Sequence, residues 1–137
     1  MKQRLIALLV GVLCSIVLYL AIILEPSNSG VGTHQQLGMA PCGFLVMSGY
    51  PCPMCGMTTT FALAADGRIL KALINQPFGV FLFACNLFLL VSAMMDFVRP
   101  GKRIIHLWMY FNKHGRRLSW YLLLALLLSW ILKIMTL

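Results

Sequence analysis

The chain has 137 residues, of which 61% are hydrophobic and only 10% charged, and its mean hydropathy is +0.89. A soluble domain carries about 25% charged residues, so this composition excludes a soluble globular enzyme and a disordered tail, and the length allows a single domain, residues 1–137. The net charge of +8 sits at the ends of apolar segments, with no basic stripe interleaved with aromatics on a polar fold. It therefore points to phospholipid headgroups and membrane orientation and not to nucleic acid.

Leu5–Leu24 is an apolar run long enough to cross a hydrocarbon core of about 30 Å at about 1.5 Å per residue. Met1-Lys2-Gln3-Arg4 before it looks like the start of a signal peptide. The run is longer than a cleaved signal's apolar region and leads into Glu25-Pro26, so it reads as an uncleaved anchor. Gly11 and Ser15 form a small-xxx-small pair suited to close helix packing. The stretch Ser27–Gly38, with His34 in it, reads as a mobile loop.

The central segment holds three of the five cysteines, in PCGFLVMSGYPCPMCGMTTT. Pro51-Cys52-Pro53-Met54-Cys55-Gly56 predicts a tight knuckle: Pro53 fixes φ after the first cysteine and Gly56 permits φ > 0 after the second. Such a turn suits zinc or another metal, and equally a local disulfide. Four-thiolate sites use two knuckles; here there is one, so Cys42 is the candidate third sulfur, and His34, Asp66 or a partner chain the candidate fourth ligand. Thr58 is a candidate N-cap for a short helix ending at Asp66-Gly67. That helix is too short to span a bilayer, which makes it re-entrant or interfacial. Cys55 would then precede a helix N-terminus, a position that lowers a thiol's pKa. Arg68–Asn75 reads as a second short helix on the outer leaflet. Cys14 and Cys85 lie within spans and read as small buried hydrophobes.

Phe78–Phe97 is the second span, with Asn75 as candidate cap and Pro77 in its first turn; it ends at Asp96, Arg99, Pro100 and Gly101. Asn86 within it reads as interhelical glue, and Asp96 as the partner of Arg99. The 98–117 segment is a basic loop, in which Ile104, Ile105, Trp108 and Phe111 could form one face of a short amphipathic helix on the inner leaflet. Leu118 to Met135 is the third span, flanked by Trp120 and Tyr121 and by Trp130 and Lys133 as interface residues. The expected fold is thus an all-α membrane protein of three transmembrane helices plus short re-entrant or interfacial helices.

Arg99, Lys102, Arg103, Lys113, Arg116 and Arg117 lie between the second and third spans, whereas residues 25–77 hold only Arg68 and Lys71. The positive-inside rule places the N-terminus and the 98–117 loop in the cytoplasm of an inner (plasma) membrane, and the knuckle segment 42–75 outside.

The block Pro-Cys-Pro-x-Cys-Gly-Met-Thr, with Asp66-Gly67, Ala72-Leu73 and Asn75-Gln76-Pro77 after it, resembles an uncharacterised bacterial family of small membrane proteins, domain of unknown function 2752. The resemblance runs over Cys42–Phe97. It implies that Cys42 matches the family's upstream cysteine. Family members commonly have Arg directly after the motif's Thr, where this chain has Thr59. The resemblance implies no activity.

Three uses of Cys42, Cys52 and Cys55 remain open on these grounds: a structural bridge or packed turn, a metal site, or thiol–disulfide exchange by Cys52 and Cys55. No nucleotide loop, Ser–His–Asp set, carboxylate pair or zinc-protease helix occurs. Expected partners are the lipid bilayer and other membrane proteins or a second copy of the chain.

Overall fold

The computed structural model describes residues 2–99, 101 and 103–136. Met1, Pro100, Lys102 and the side chain of Lys2, which enter the charge and boundary arguments, lie outside the described residues. Among those described there are six α-helices and no strand: α1 (Lys2–Ile23), α2 (Gly43–Ser48), α3 (Met57–Ala65), α4 (Ile69–Asn75), α5 (Pro77–Val98) and α6 (Arg103–Thr136). A 3-10 turn, Thr33–Leu37, precedes α2.

Three helices are long and apolar enough to cross a bilayer: residues Gln3–Ile23 of α1, α5 and α6. The expected all-α fold with three spans is the observed one, and the chain is a membrane protein by this measure. Its interior is built from small residues. Ala7, Cys14 and Ala21 recur every seventh residue along α1 and are buried. Gly11 lies on the same stripe and meets Ala93 of α5, whose Cβ is 3.7 Å from where a glycine Cβ would sit. Large side chains such as Leu9, Leu13, Tyr19, Phe88 and Val91 face outward. Lipid tails are as apolar as leucine, so nothing drives those side chains inward, and close backbone approach through small residues holds the helices together. Ser15, the expected partner of Gly11 on this seam, is instead exposed, because the seam continues through position 14.

α6 differs from the expectation. The 98–117 segment is no separate loop or surface helix: all but its first residues form the opening of one continuous helix of 34 residues, about 51 Å long at 1.5 Å per residue. No proline interrupts positions 103–136, and Gly115 alone is too weak a breaker to end the helix. Asp96 also does not take Arg99. Its Oδ1 pairs with Arg103 Nη1 at 3.3 Å, and its Oδ2 accepts the Ile104 N–H at 3.1 Å. A buried carboxylate thereby caps the orphan donors of α6's first turn.

At the other end of the bundle, α3 and α4 fold back between the spans. Gly79 of α5 lets α3 approach closely: a Cβ there would lie 2.8 Å from Thr60 Cγ2. Ile69, Leu70, Leu73 and Ile74 of α4 are exposed.

Candidate functional site

Two turns and a helix start bring the three cysteines together. The Cys55 N–H donates to Cys52 O at 2.9 Å, closing the knuckle. Gly56 follows at φ 89 and is itself the N-cap of α3. Thr58, the expected cap, lies inside the first turn, because the left-handed glycine turns the chain directly into the helix. Upstream, the short helix α2 has no counterpart in the sequence pattern; Cys42 occupies its N-cap position. The three Sγ atoms lie within 4.8 Å of one another. The Cys52 thiol donates to Cys55 Sγ at 3.2 Å, and all five cysteines are free.

The electrostatics invert the expectation for Cys55. The Leu45 N–H, together with the Cys55 thiol, lowers the Cys42 thiol from an ordinary value of 9.0 to about 7. Burial, then hydrogen bonding with Cys52 and Cys42, pushes Cys55 up to about 12. The helix start that helps a thiolate is that of α2, and the group it helps is Cys42. Of these two thiols Cys42 is the more acidic, because it faces backbone donors at the start of α2 while Cys55 is buried.

The sulfurs border an open cleft of about 460 Å³, whose walls include Ser27, His34, Gln35, Met54 and Thr59. His34 reaches the cleft, but its ring Nε2 lies 3.2 Å from Ala40 O, and it is not part of the three-sulfur group. Asp66 is turned away to pair with Arg68. Cys14 and Cys85 belong to the spans and do not join the group. The expected mobile loop is tied down. Thr33 is buried, its hydroxyl accepts the Ser27 N–H at 3.0 Å, and it lies 2.8 Å from the Thr59 hydroxyl. Thr59 is therefore a buried neutral contact within the core of the module.

Several residues that position the knuckle do so in ways the sequence does not announce. Asn75 ends α4 and does not cap α5, whose N-cap is Gln76. The Asn75 amide donates to Gly56 O at 3.1 Å and to Thr60 Oγ1 at 2.9 Å. Gln76, fully buried, donates to Pro53 O at 2.8 Å. From α6, the Trp130 indole donates to Pro51 O at 2.7 Å, the Ser129 hydroxyl accepts the Phe78 N–H, and Lys133 donates to Gly30 O at 3.1 Å and Asn75 Oδ1 at 2.6 Å. The available signal is a run of polar groups, Ser129, Trp130 and Lys133, on one side of an otherwise apolar span.

Residues 42–90 match the family described as "Protein of unknown function (DUF2752)". The match begins at Cys42 and takes in α2, the knuckle, α3, α4 and α5 as far as residue 90, within the expected Cys42–Phe97. No curated protein and no solved structure matches the chain.

Proposed function

We propose that the protein is a metal-binding module of an integral membrane protein, a single 1–137 domain in the inner (plasma) membrane, with Cys42, Cys52 and Cys55 as thiolate ligands. The observation that carries this reading is the convergence of three sulfurs within 4.8 Å at an open cleft. A tetrahedral zinc ion with Zn–S of about 2.3 Å spaces its ligands about 3.8 Å apart, so a thiophilic ion needs shifts of only about an ångström. Pro53 and Gly56 shape the turn, and Met57 and Thr58 open the helix behind it. The cleft leaves room for a fourth, exchangeable ligand, which distinguishes sites that capture or transfer an ion from closed structural ones.

The charge asymmetry supports an orientation with the basic half of α6 in the cytoplasm and the cysteine end outside. Function within a larger membrane assembly fits the small size and the exposed, apolar helix faces. The second reading is thiol–disulfide exchange by Cys52 and Cys55, favoured by their 3.2 Å Sγ separation.

Elemental analysis combined with thiol counting on the purified full-length protein tests the metal reading. The expected result is about one thiophilic metal ion per chain, lost on Cys42→Ser, Cys52→Ser or Cys55→Ser alike and kept in Cys14→Ala and Cys85→Ala, because loss of one ligand disables a shared site. A Cys52→Ser protein with unchanged metal content overturns it. A metal-free protein that cycles a Cys52–Cys55 disulfide supports the second reading instead.

A further inference from the structure

Lys133 is 3% exposed, yet no carboxylate among the described residues meets it. Asp66 pairs with Arg68, Asp96 pairs with Arg103 at the opposite end of the bundle, and Glu25 is exposed. The ammonium contacts are neutral: Gly30 O and Asn75 Oδ1. Burying a charge with only neutral partners is costly, and buried charges are ordinarily paired or sit beside a metal centre. The side chain ends against the knuckle. A Cβ on Gly56, the residue after Cys55, would lie 3.3 Å from Lys133 Cε. Cys55, the residue before Gly56, is therefore the group able to become an anion on the segment that the lysine stem packs against.

We infer that Lys133 is the counter-charge of the cysteine centre, which takes a divalent thiophilic cation as an anionic tris-thiolate complex. The inference rests on the metal reading above. Three thiols release their protons to solvent as a divalent ion binds. Three thiolates and a 2+ ion leave a net charge of −1, and the ammonium brings the partly buried assembly to zero. A neutral assembly avoids the desolvation penalty that either the complex or the lysine would carry alone. Two features of the local geometry serve this arrangement. Lys133 is held by acceptors on two separate segments, so its ammonium cannot swing out to solvent without breaking both bonds. Gly56 supplies the missing side chain that lets the lysine stem come up behind the knuckle.

The test uses full-length protein in nanodiscs and Cd²⁺ alone as the probe, read by its thiolate charge-transfer absorbance and by competition with a chelator of known affinity. Lys133→Gln keeps a hydrogen-bond donor and removes the charge; Lys133→Arg keeps the charge. The expected result is Cd²⁺ affinity about tenfold or more weaker in Lys133→Gln and near wild type in Lys133→Arg, as a charge interaction across a partly desolvated site requires. Lys133→Met is the second variant: it keeps the stem, removes the charge and suits an apolar span, and should weaken Cd²⁺ binding to a similar degree, even if Lys133→Gln does not accumulate. A wild-type protein that binds no Cd²⁺ removes the metal reading and this inference with it. A wild-type protein that binds Cd²⁺, with variants of unchanged affinity, overturns the counter-charge role alone and leaves Lys133 a structural pin.

Discussion

Gly56→Ala probes the most tightly constrained backbone position in the cysteine module. At φ 89 an L-residue is strained, by about 1–2 kcal/mol. The added Cβ would also lie 2.7 Å from Gly30 O, a backbone atom, and 3.1 Å from Asn75 Nδ2. Relief requires moving either the Gly30 segment or the Gly56 carbonyl. The first move loosens the Lys133–Gly30 hydrogen bond and the second the Asn75–Gly56 one. A neutral hydrogen bond is worth about 1 kcal/mol net and one to a charged group about 1.5–3; with the strain, either route brings the total cost to about 2–5 kcal/mol. Gly49 provides an internal control: its φ is 74 and nothing lies within 4 Å of a Cβ added there, so Gly49→Ala should cost only the strain of about 1–2 kcal/mol. Graded SDS unfolding of the full-length protein, followed by tryptophan fluorescence, measures both; Trp130 against Pro51 O reports on the module itself. Equal destabilisation by the two substitutions would refute the argument that Gly30, Asn75 and Lys133 crowd the knuckle.

Asn86→Leu should leave insertion intact and be neutral to mildly stabilising, because Asn86 Oδ1 is buried without a hydrogen-bond partner among the described residues and removing an unsatisfied group recovers its desolvation cost; a marked loss of stability on the same SDS titration would show a partner for it. In a Cys14→Ala, Cys85→Ala background, Cys42 should alkylate with a rate midpoint near pH 7, losing its thiolate as pH falls through about 7, while Cys55 stays protonated up to about 12. A Cys42 midpoint near 9.0, the ordinary thiol value, would remove the Leu45 N–H from the account. Alkaline phosphatase fused after Gln36 should be active, and after Arg103 inactive, if the basic end is cytoplasmic; the reverse pattern would invert the orientation.

The three spans are legible in the sequence because the bilayer imposes a length and a composition that a single chain segment must meet by itself. The knuckle is legible for a similar reason. Cys-Pro-x-Cys-Gly specifies its own turn, with φ set by Pro53 and released at Gly56, and the observed φ 89 at Gly56 follows from local chemistry alone. Helix boundaries are harder. Asn75 and Thr58 both carry capping side chains, and both positions precede apolar runs, yet neither caps. In each case a neighbour reaches the N-cap geometry first; for Asn75 this leaves the polar side chain free for tertiary bonds. The continuity of α6 is hidden by its charge pattern. Basic residues at positions 113, 116 and 117 mark a membrane boundary but do not break a helix, since arginine and lysine are good helix formers.

What local pattern does not reveal is the set of partners that arrive from far along the chain. Lys133 meets Gly30 and Asn75 across 103 and 58 residues, and Trp130 meets Pro51 across 79. In sequence, a tryptophan and a lysine near the end of an apolar span have an adequate interfacial explanation, and only the fold shows that both turn inward. The geometry gives that choice a physical reason. The knuckle leaves the carbonyls of Pro51 and Pro53 without partners in its own turn, and Pro51 is buried from solvent within the bundle. Donors must come from the bundle: the indole of Trp130 and the amide of Gln76 supply them. Residues that look like anchors in the membrane are thus the groups that make a cysteine turn tolerable at its edge. Substituting them should disturb the cysteines more than the insertion of the helix that carries them.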